Sequence, residues 1–188
     1  MKKFDVVAMG ELLVDFTENG ISEQGNPILE ANPGGAPCNV LSMLQRLGKK
    51  TAFIGKVGQD AFGRMLTDVI REQGINADNL LVDETVPTTL AFVHTQQDGD
   101  RSFSFYRNPG ADMMLRWNEI DEELLGDTKI FHFGTLSMTD EQIADTTKKA
   151  VQKAKNDGAI ISFDPNLRPP LWRNLEDDVS EASLDQKA

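Results

Sequence analysis

Cysteine is almost absent. Cys38 is the sole cysteine among 188 residues, so no disulfide can close within the chain and no cysteine cluster can hold zinc. Basic residues are scarce as well: 19 against 30 acidic ones, a net charge of −11 with the histidines neutral. Binders of nucleic-acid backbones or anionic membranes need clustered Lys and Arg, so both classes are disfavoured, although a small local cationic site for a small anion is not. No apolar run approaches the roughly 20 residues of a membrane helix. The start, MKKFDVVAMGELLVDF, has two lysines, but Asp5 and Glu11 interrupt any signal-peptide core. The Walker phosphate loop, the dinucleotide G-x-G-x-x-G and the zinc-protease H-E-x-x-H are all missing. A nucleotide, if bound, binds by another route. Together these absences predict a reduced, cytoplasmic protein with no nucleic-acid or membrane partner.

What is present is an ordinary globular composition, 26% charged and 39% hydrophobic. Strand and helix patterns alternate. Phe4 to Met9 reads as a buried strand. Ala36 to Leu47 reads as a helix, with Pro37 in the first turn, Val40, Leu44 and Leu47 on one face, and Gly48 as a stop. Thr51 to Val57, Lys129 to Phe133 and Ala159 to Phe163 read as strands; Asp60 to Gln73 and Thr139 to Lys155 read as helices. Such alternation predicts a mostly parallel sheet covered on both faces, here with about four parallel strands and therefore incomplete.

Two segments break the rhythm. Thr88 to Thr95 and Arg101 to Arg107 predict a hairpin around an Asp-Gly turn, with Phe103, Phe105 and Arg107 on one face. Leu12 to Leu29 adds further strand-like sequence. The expectation is a small antiparallel sheet inserted into the α/β frame as a lid, from segments at about 12–32 and 86–108. The whole chain, 1–188, reads as part of one domain, ending in a polar, acidic tail.

Several residues could carry chemistry, each beside a plain structural alternative. In Asn32-Pro33-Gly34-Gly35-Ala36-Pro37-Cys38-Asn39, paired glycines let backbone approach a ligand at a helix start, and the Asn39 amide suits sugar hydroxyls; a glycine turn is the alternative. Asp15 can accept two hydroxyl hydrogen bonds, or be an exposed edge aspartate. Asp164 to Arg168 follows a buried strand, where ligands of open parallel sheets sit, and Arg168 offers a fork for phosphate; a proline-rich exit loop is the alternative. Arg107 ends a lid strand and either reaches over a ligand or is solvated. His94 and His132 read as packed or surface groups, and Cys38 as core.

Together these residues resemble the ribokinase-like (PfkB) carbohydrate kinases, and within them the fructokinases. The likeness lies in Pro33 to Asn39, Arg46-Leu47-Gly48, Phe53 to Asp60 and Phe62-Gly63, with FYRNPGAD (Phe105 to Asp112) and SFDPNLRPPLW (Ser162 to Trp172). The resemblance implies a three-layer α/β/α fold with a β lid, and MgATP-dependent phosphorylation of a sugar, fructose at O6. It implies sugar contacts from Asp15, Gly34, Gly35, Asn39 and Arg107, with Asn166 and Arg168 near the transferred phosphate, and lids that pair between subunits.

The family's G-A-G-D motif, which supplies the catalytic base and anion hole, is missing. The expectation is therefore an amino-terminal portion with no catalytic or metal-binding residue of its own and little activity. Kinases for ribose or 2-keto-3-deoxygluconate, and a non-catalytic sugar-binding remnant, are the alternatives.

Overall fold

A computed structural model describes residues 2–95 and 101–172. The predicted turn at 96–100 and the acidic tail from 173 onward lie outside the described residues. Five strands form the main sheet: β1 (Phe4–Met9), β4 (Thr51–Gly58), β5 (Asn76–Asp83), β8 (Thr128–Gly134) and β9 (Ile160–Asp164). Their order is β5-β4-β1-β8-β9, and every neighbouring pair is parallel. Helices α1 (Ala36–Arg46) and α2 (Ala61–Glu72) cover one face, and α3 (Glu122–Gly126) and α4 (Glu141–Asn156) the other.

The strand pleat explains the layering. In β1, Val7 and Met9 enter the core under α4 while Val6 and Ala8 enter the core under α1 and α2; in β4, Ile54 and Phe53 divide likewise. Strands buried on both faces cannot alternate polar and apolar residues, and so read as continuous apolar runs. Helix α1 buries Pro37, Cys38 and Leu41, whereas Val40 and Leu47 on the expected stripe stand exposed.

The fifth parallel strand, β5, escapes the sequence reading, which expected about four. It begins Asn76-Ala77-Asp78-Asn79 and, among the described residues, lies at the sheet edge, paired only with β4. An edge strand needs little apolar sequence, so its pattern is weak.

A second sheet contains β2 (Leu13–Ile21), β3 (Pro27–Gly34), β6 (Leu90–Thr95) and β7 (Arg101–Tyr106), in the order β3-β2-β6-β7. It is mixed rather than antiparallel. The β2–β3 and β6–β7 pairs are antiparallel, but β2 and β6 run parallel, with Val14 opposite Leu90. That pairing joins segments separated by β3, α1, β4, α2 and β5, so no local turn signal announces it. No helix among the described residues is long and apolar enough to cross a membrane.

Asp60 ties the two sheets together. It caps α2 by accepting from the Gly63 N–H at 2.8 Å, and it also accepts from the Thr88 N–H and hydroxyl just before β6. Burial alone raises its carboxyl, but the hydrogen bonds from Thr88 and Gly63 outweigh burial and hold it below the ordinary carboxylate range. Its contribution is therefore complete above the unfolded value of about 4 and is lost on acidification through the lower folded value. Asp60→Ala is expected to cost about 1–2 kcal/mol near neutral pH, read as a lower urea midpoint, with the loss shrinking in acid.

Candidate functional site

A cleft of about 320 Å3 opens between the second sheet and the carboxyl ends of the main-sheet strands, the edge at which open parallel sheets hold ligands. Asp15 and Thr17 reach it from β2, Asn32 from β3, and Gly35 and Asn39 from the entry to α1. Phe103 and Phe105 line it from β7, and Asn166 and Arg168 from the loop after β9. The cleft thus collects five of the seven residues that the sequence singled out. Gly34 lies immediately beneath it. A methyl group there would overlap the Asp15 carboxylate, so glycine is what lets that carboxylate lie against the backbone.

The electrostatics set Asp15 against Arg168. Burial raises the Asp15 carboxyl, and the positive charge of Arg168 works in the opposite direction. The Arg168 guanidinium also lies 4.8 Å from the centre of the Phe103 ring, a cation–π distance. Arg168 therefore bridges the loop after β9 and the second sheet across the cleft. On the floor, the Asn32 amide donates to the Thr17 hydroxyl at 3.0 Å. A carboxylate acceptor, amides and close backbone suit a small polyhydroxylated ligand, and the Arg168 fork suits an anionic oxygen beside it.

Sequence reasoning missed Glu11, which directly follows β1 and Gly10. Its carboxylate accepts from the Ala36 N–H at 2.8 Å, although only 3% of the residue is exposed. Burial pushes its carboxyl up to about 7. The available signal was an acidic residue inside an otherwise apolar run, Met9-Gly10-Glu11-Leu12-Leu13.

Arg107 is not among the residues lining this cleft. It is buried in an ion pair with Asp112 (2.7 Å), donates to the Thr139 hydroxyl (2.7 Å) and to the Leu136 carbonyl (3.0 Å). Arg107 is thus not a solvated strand-end arginine: it holds the exit from β7 onto the segment after β8 and lines a neighbouring pocket with Phe103 and Phe105. Cys38 is core, its thiol pushed up by burial. His132 is buried with Nδ1 3.0 Å from the Ser162 hydroxyl, and His94 is exposed beside Ser104.

The profile of the pfkB family carbohydrate kinases matches residues 3–185. The chain belongs to that family. This pfkB chain is 45% identical over 174 residues to the probable fructokinase-3 of Arabidopsis thaliana, covering 92% of this chain and 50% of that one. It is 45% identical over 169 residues to the fructokinase of Solanum tuberosum, covering 89% and 53%. Among solved structures, the fructokinase from Xylella fastidiosa superposes with a TM-score of 0.89 at 38% identity, over 100% of this chain and 57% of that one. The same enzyme with bound ATP gives 0.87 at 38% identity, over 100% and 55%. The pfkB chain spans about half the length of the curated relatives it matches. The family assignment accounts for the three-layer frame and the second sheet expected from the sequence.

Proposed function

We propose that this chain carries the sugar-binding half of an ATP-dependent kinase that phosphorylates D-fructose at O6. The observation that carries the reading is the convergence of Asp15, Asn39, Gly35 and Arg168 on one cleft in a pfkB-family chain. Fructokinases among its relatives favour fructose over ribose or 2-keto-3-deoxygluconate, and the relative with bound ATP favours ATP as donor.

In this reading Asp15 accepts hydrogen bonds from two sugar hydroxyls, and Asn39 donates and accepts with a third. Gly34 and Gly35 let the backbone lie close to the ring, and Phe103 and Phe105 form its apolar wall. Asn166 and Arg168 lie towards the transferred phosphate, where the guanidinium offsets charge on its oxygens. When bound, MgATP supplies the phosphoryl group and neutralises part of the charge that develops. The base that takes the hydroxyl proton belongs to a G-A-G-D segment absent from these 188 residues. Arg107 acts on the sugar indirectly, by fixing the exit of β7. The second sheet serves as a lid, and its exposed Ile21 and Tyr106 support pairing of two lids in a homodimer.

The test is calorimetry of this chain with D-fructose, D-ribose and 2-keto-3-deoxygluconate, beside a coupled kinase assay of the chain and of a longer gene product carrying G-A-G-D. The expected result is saturable fructose binding, little turnover by the chain and turnover by the longer product. Tighter ribose or keto-acid binding would overturn the choice of sugar, and brisk fructose phosphorylation by the chain alone would overturn the division of labour.

A further inference from the structure

We propose that Glu11 is a positioning residue that caps helix α1 from the end of β1, and that loss of its proton loosens the Gly34–Ala36 turn and weakens ligand binding in the cleft whose edge Glu11 helps to line. The inference rests on the sugar-site reading only where a sugar is the probe.

Helix α1 starts without an ordinary cap. Its N-cap is Gly35, which has no side chain to accept from the first-turn N–H groups. Glu11 fills that role from another element, through Oε1 on the Ala36 N–H at 2.8 Å. The backbone of Glu11 is engaged as well, since Gly35 packs so closely against the Glu11 carbonyl that a Cβ there would overlap it. Cap and turn therefore move together, and the turn carries Gly35 and Asn39 into the cleft.

The other oxygen makes the arrangement sensitive to protonation. Oε2 is buried and has no hydrogen-bond partner among the described residues. A protonated carboxyl keeps Oε1 as acceptor without placing a charge there, whereas an ionised one strands a negative oxygen in a low-dielectric pocket. The titratable groups around it offer little compensation. Cys38 lies on α1, and its thiol is pushed up by burial and by Glu11 itself. Asp112 opposes ionisation, while Arg107 favours it from within the pair it makes with Asp112. Asp15 and Arg168 lie further along the same cleft, facing each other. Burial is the dominant influence; the Glu11 and Ala36 N–H groups favour ionisation but do not offset it, and the carboxyl is pushed up to about 7. Ionisation leaves a buried negative oxygen without a donor, so the ionised state favours a looser arrangement of the turn that Oε1 holds.

The experiment has two arms on the full chain. In the first, the 15N shift and hydrogen exchange of the Ala36 amide are followed from about pH 5.5 to about pH 8.5, a range spanning the raised value. The expected result is a titration with a midpoint near 7 and faster exchange above it. An Ala36 amide that does not respond to pH overturns the proposal without any ligand or variant. In the second, D-fructose affinity is measured by calorimetry over the same range for the wild type and for Glu11→Gln, which keeps an acceptor but cannot ionise. Wild-type affinity is expected to fall roughly tenfold across the range while the variant stays nearly flat, an effect typical of coupled sites. Any change common to both proteins belongs to groups other than Glu11. An equal pH dependence in wild type and variant overturns the proposal. Absence of fructose binding at every pH counts against the sugar reading instead, and the amide titration still decides the role of Glu11.

Discussion

Replacing Arg107 with alanine is expected to lower the stability of the chain by about 3–5 kcal/mol, a shift plainly visible in a urea or thermal midpoint. The guanidinium and the Asp112 carboxylate are 2% and 3% exposed, and they meet at 2.7 Å. Asp112 also accepts from the Thr89 hydroxyl, and Arg107 reaches Thr139 and the Leu136 carbonyl. Truncation removes all the Arg107 contacts at once and leaves the Asp112 charge buried. Most of the expected cost comes from that stranded carboxylate. Adding Asp112→Asn to Arg107→Ala should therefore recover part of the loss, because the residual group is neutral. An exposed arginine poised over a ligand would behave otherwise, with Arg107→Ala changing stability by no more than about 0.5 kcal/mol and affecting only ligand affinity. Midpoints for the two variants, set beside fructose calorimetry on the folded fraction, separate these outcomes.

Gly35→Ala should be comparably severe and act on a different part of the molecule. Gly35 has φ of 116° and ψ of 122°, a region that side chains rarely adopt, and an added methyl group would overlap the Glu11 carbonyl. Strain and overlap together are expected to cost about 3 kcal/mol or more. The damage falls on the entry to α1, so fructose binding should disappear even under conditions in which the variant stays folded. Gly34→Ala makes the useful contrast. Its φ is not in the left-handed region, and its new methyl group meets the Asp15 side chain rather than backbone. Asp15 is half-buried and can turn away, so this variant should lose sugar affinity with a much smaller loss of stability. Equal loss of stability in the two variants would refute this account of the turn.

These expectations show where the sequence was legible. Strand β1 and helices α1, α2 and α4 stand within about two residues of their predicted ends, a normal margin for element boundaries. Each is delimited by local chemistry: Pro37 in the first turn of α1, Asp60 capping α2, Asp140 capping α4, and Gly48, Gly74 and Gly158 just past the helix ends. Strand β5 and the parallel β2–β6 pair were not legible, because an edge position and a distant pairing leave no local mark.

The site divides in the same way. Asp15, Asn39 and Arg168 were singled out from the sequence, Asp15 chiefly through the family resemblance, and the structure gathers them on one cleft. The roles of Glu11 and Arg107 depend on what surrounds them in space. Phe103, Phe105 and Arg107 were placed on one face by alternation, but β7 ends at Tyr106. The three do line one pocket, and what alternation left unsaid is that Arg107, just past the strand end, is buried against Asp112.

The parallel union of β2 with β6 has a consequence for how the molecule comes into being. A parallel pair cannot close as a hairpin, and Val14 meets Leu90 only after the chain has passed through β3, α1, β4, α2 and β5. Each half of the second sheet has a local antiparallel partner, yet the seam between the halves must wait for the main sheet to bring Thr88 to Asp60 and Thr89 to Val14. The main sheet is therefore expected to act as the template on which the cleft is sewn shut, and the pocket should mature late in folding. In kinetic terms, substitutions along the β2–β6 seam should hasten unfolding while leaving the folding rate nearly untouched.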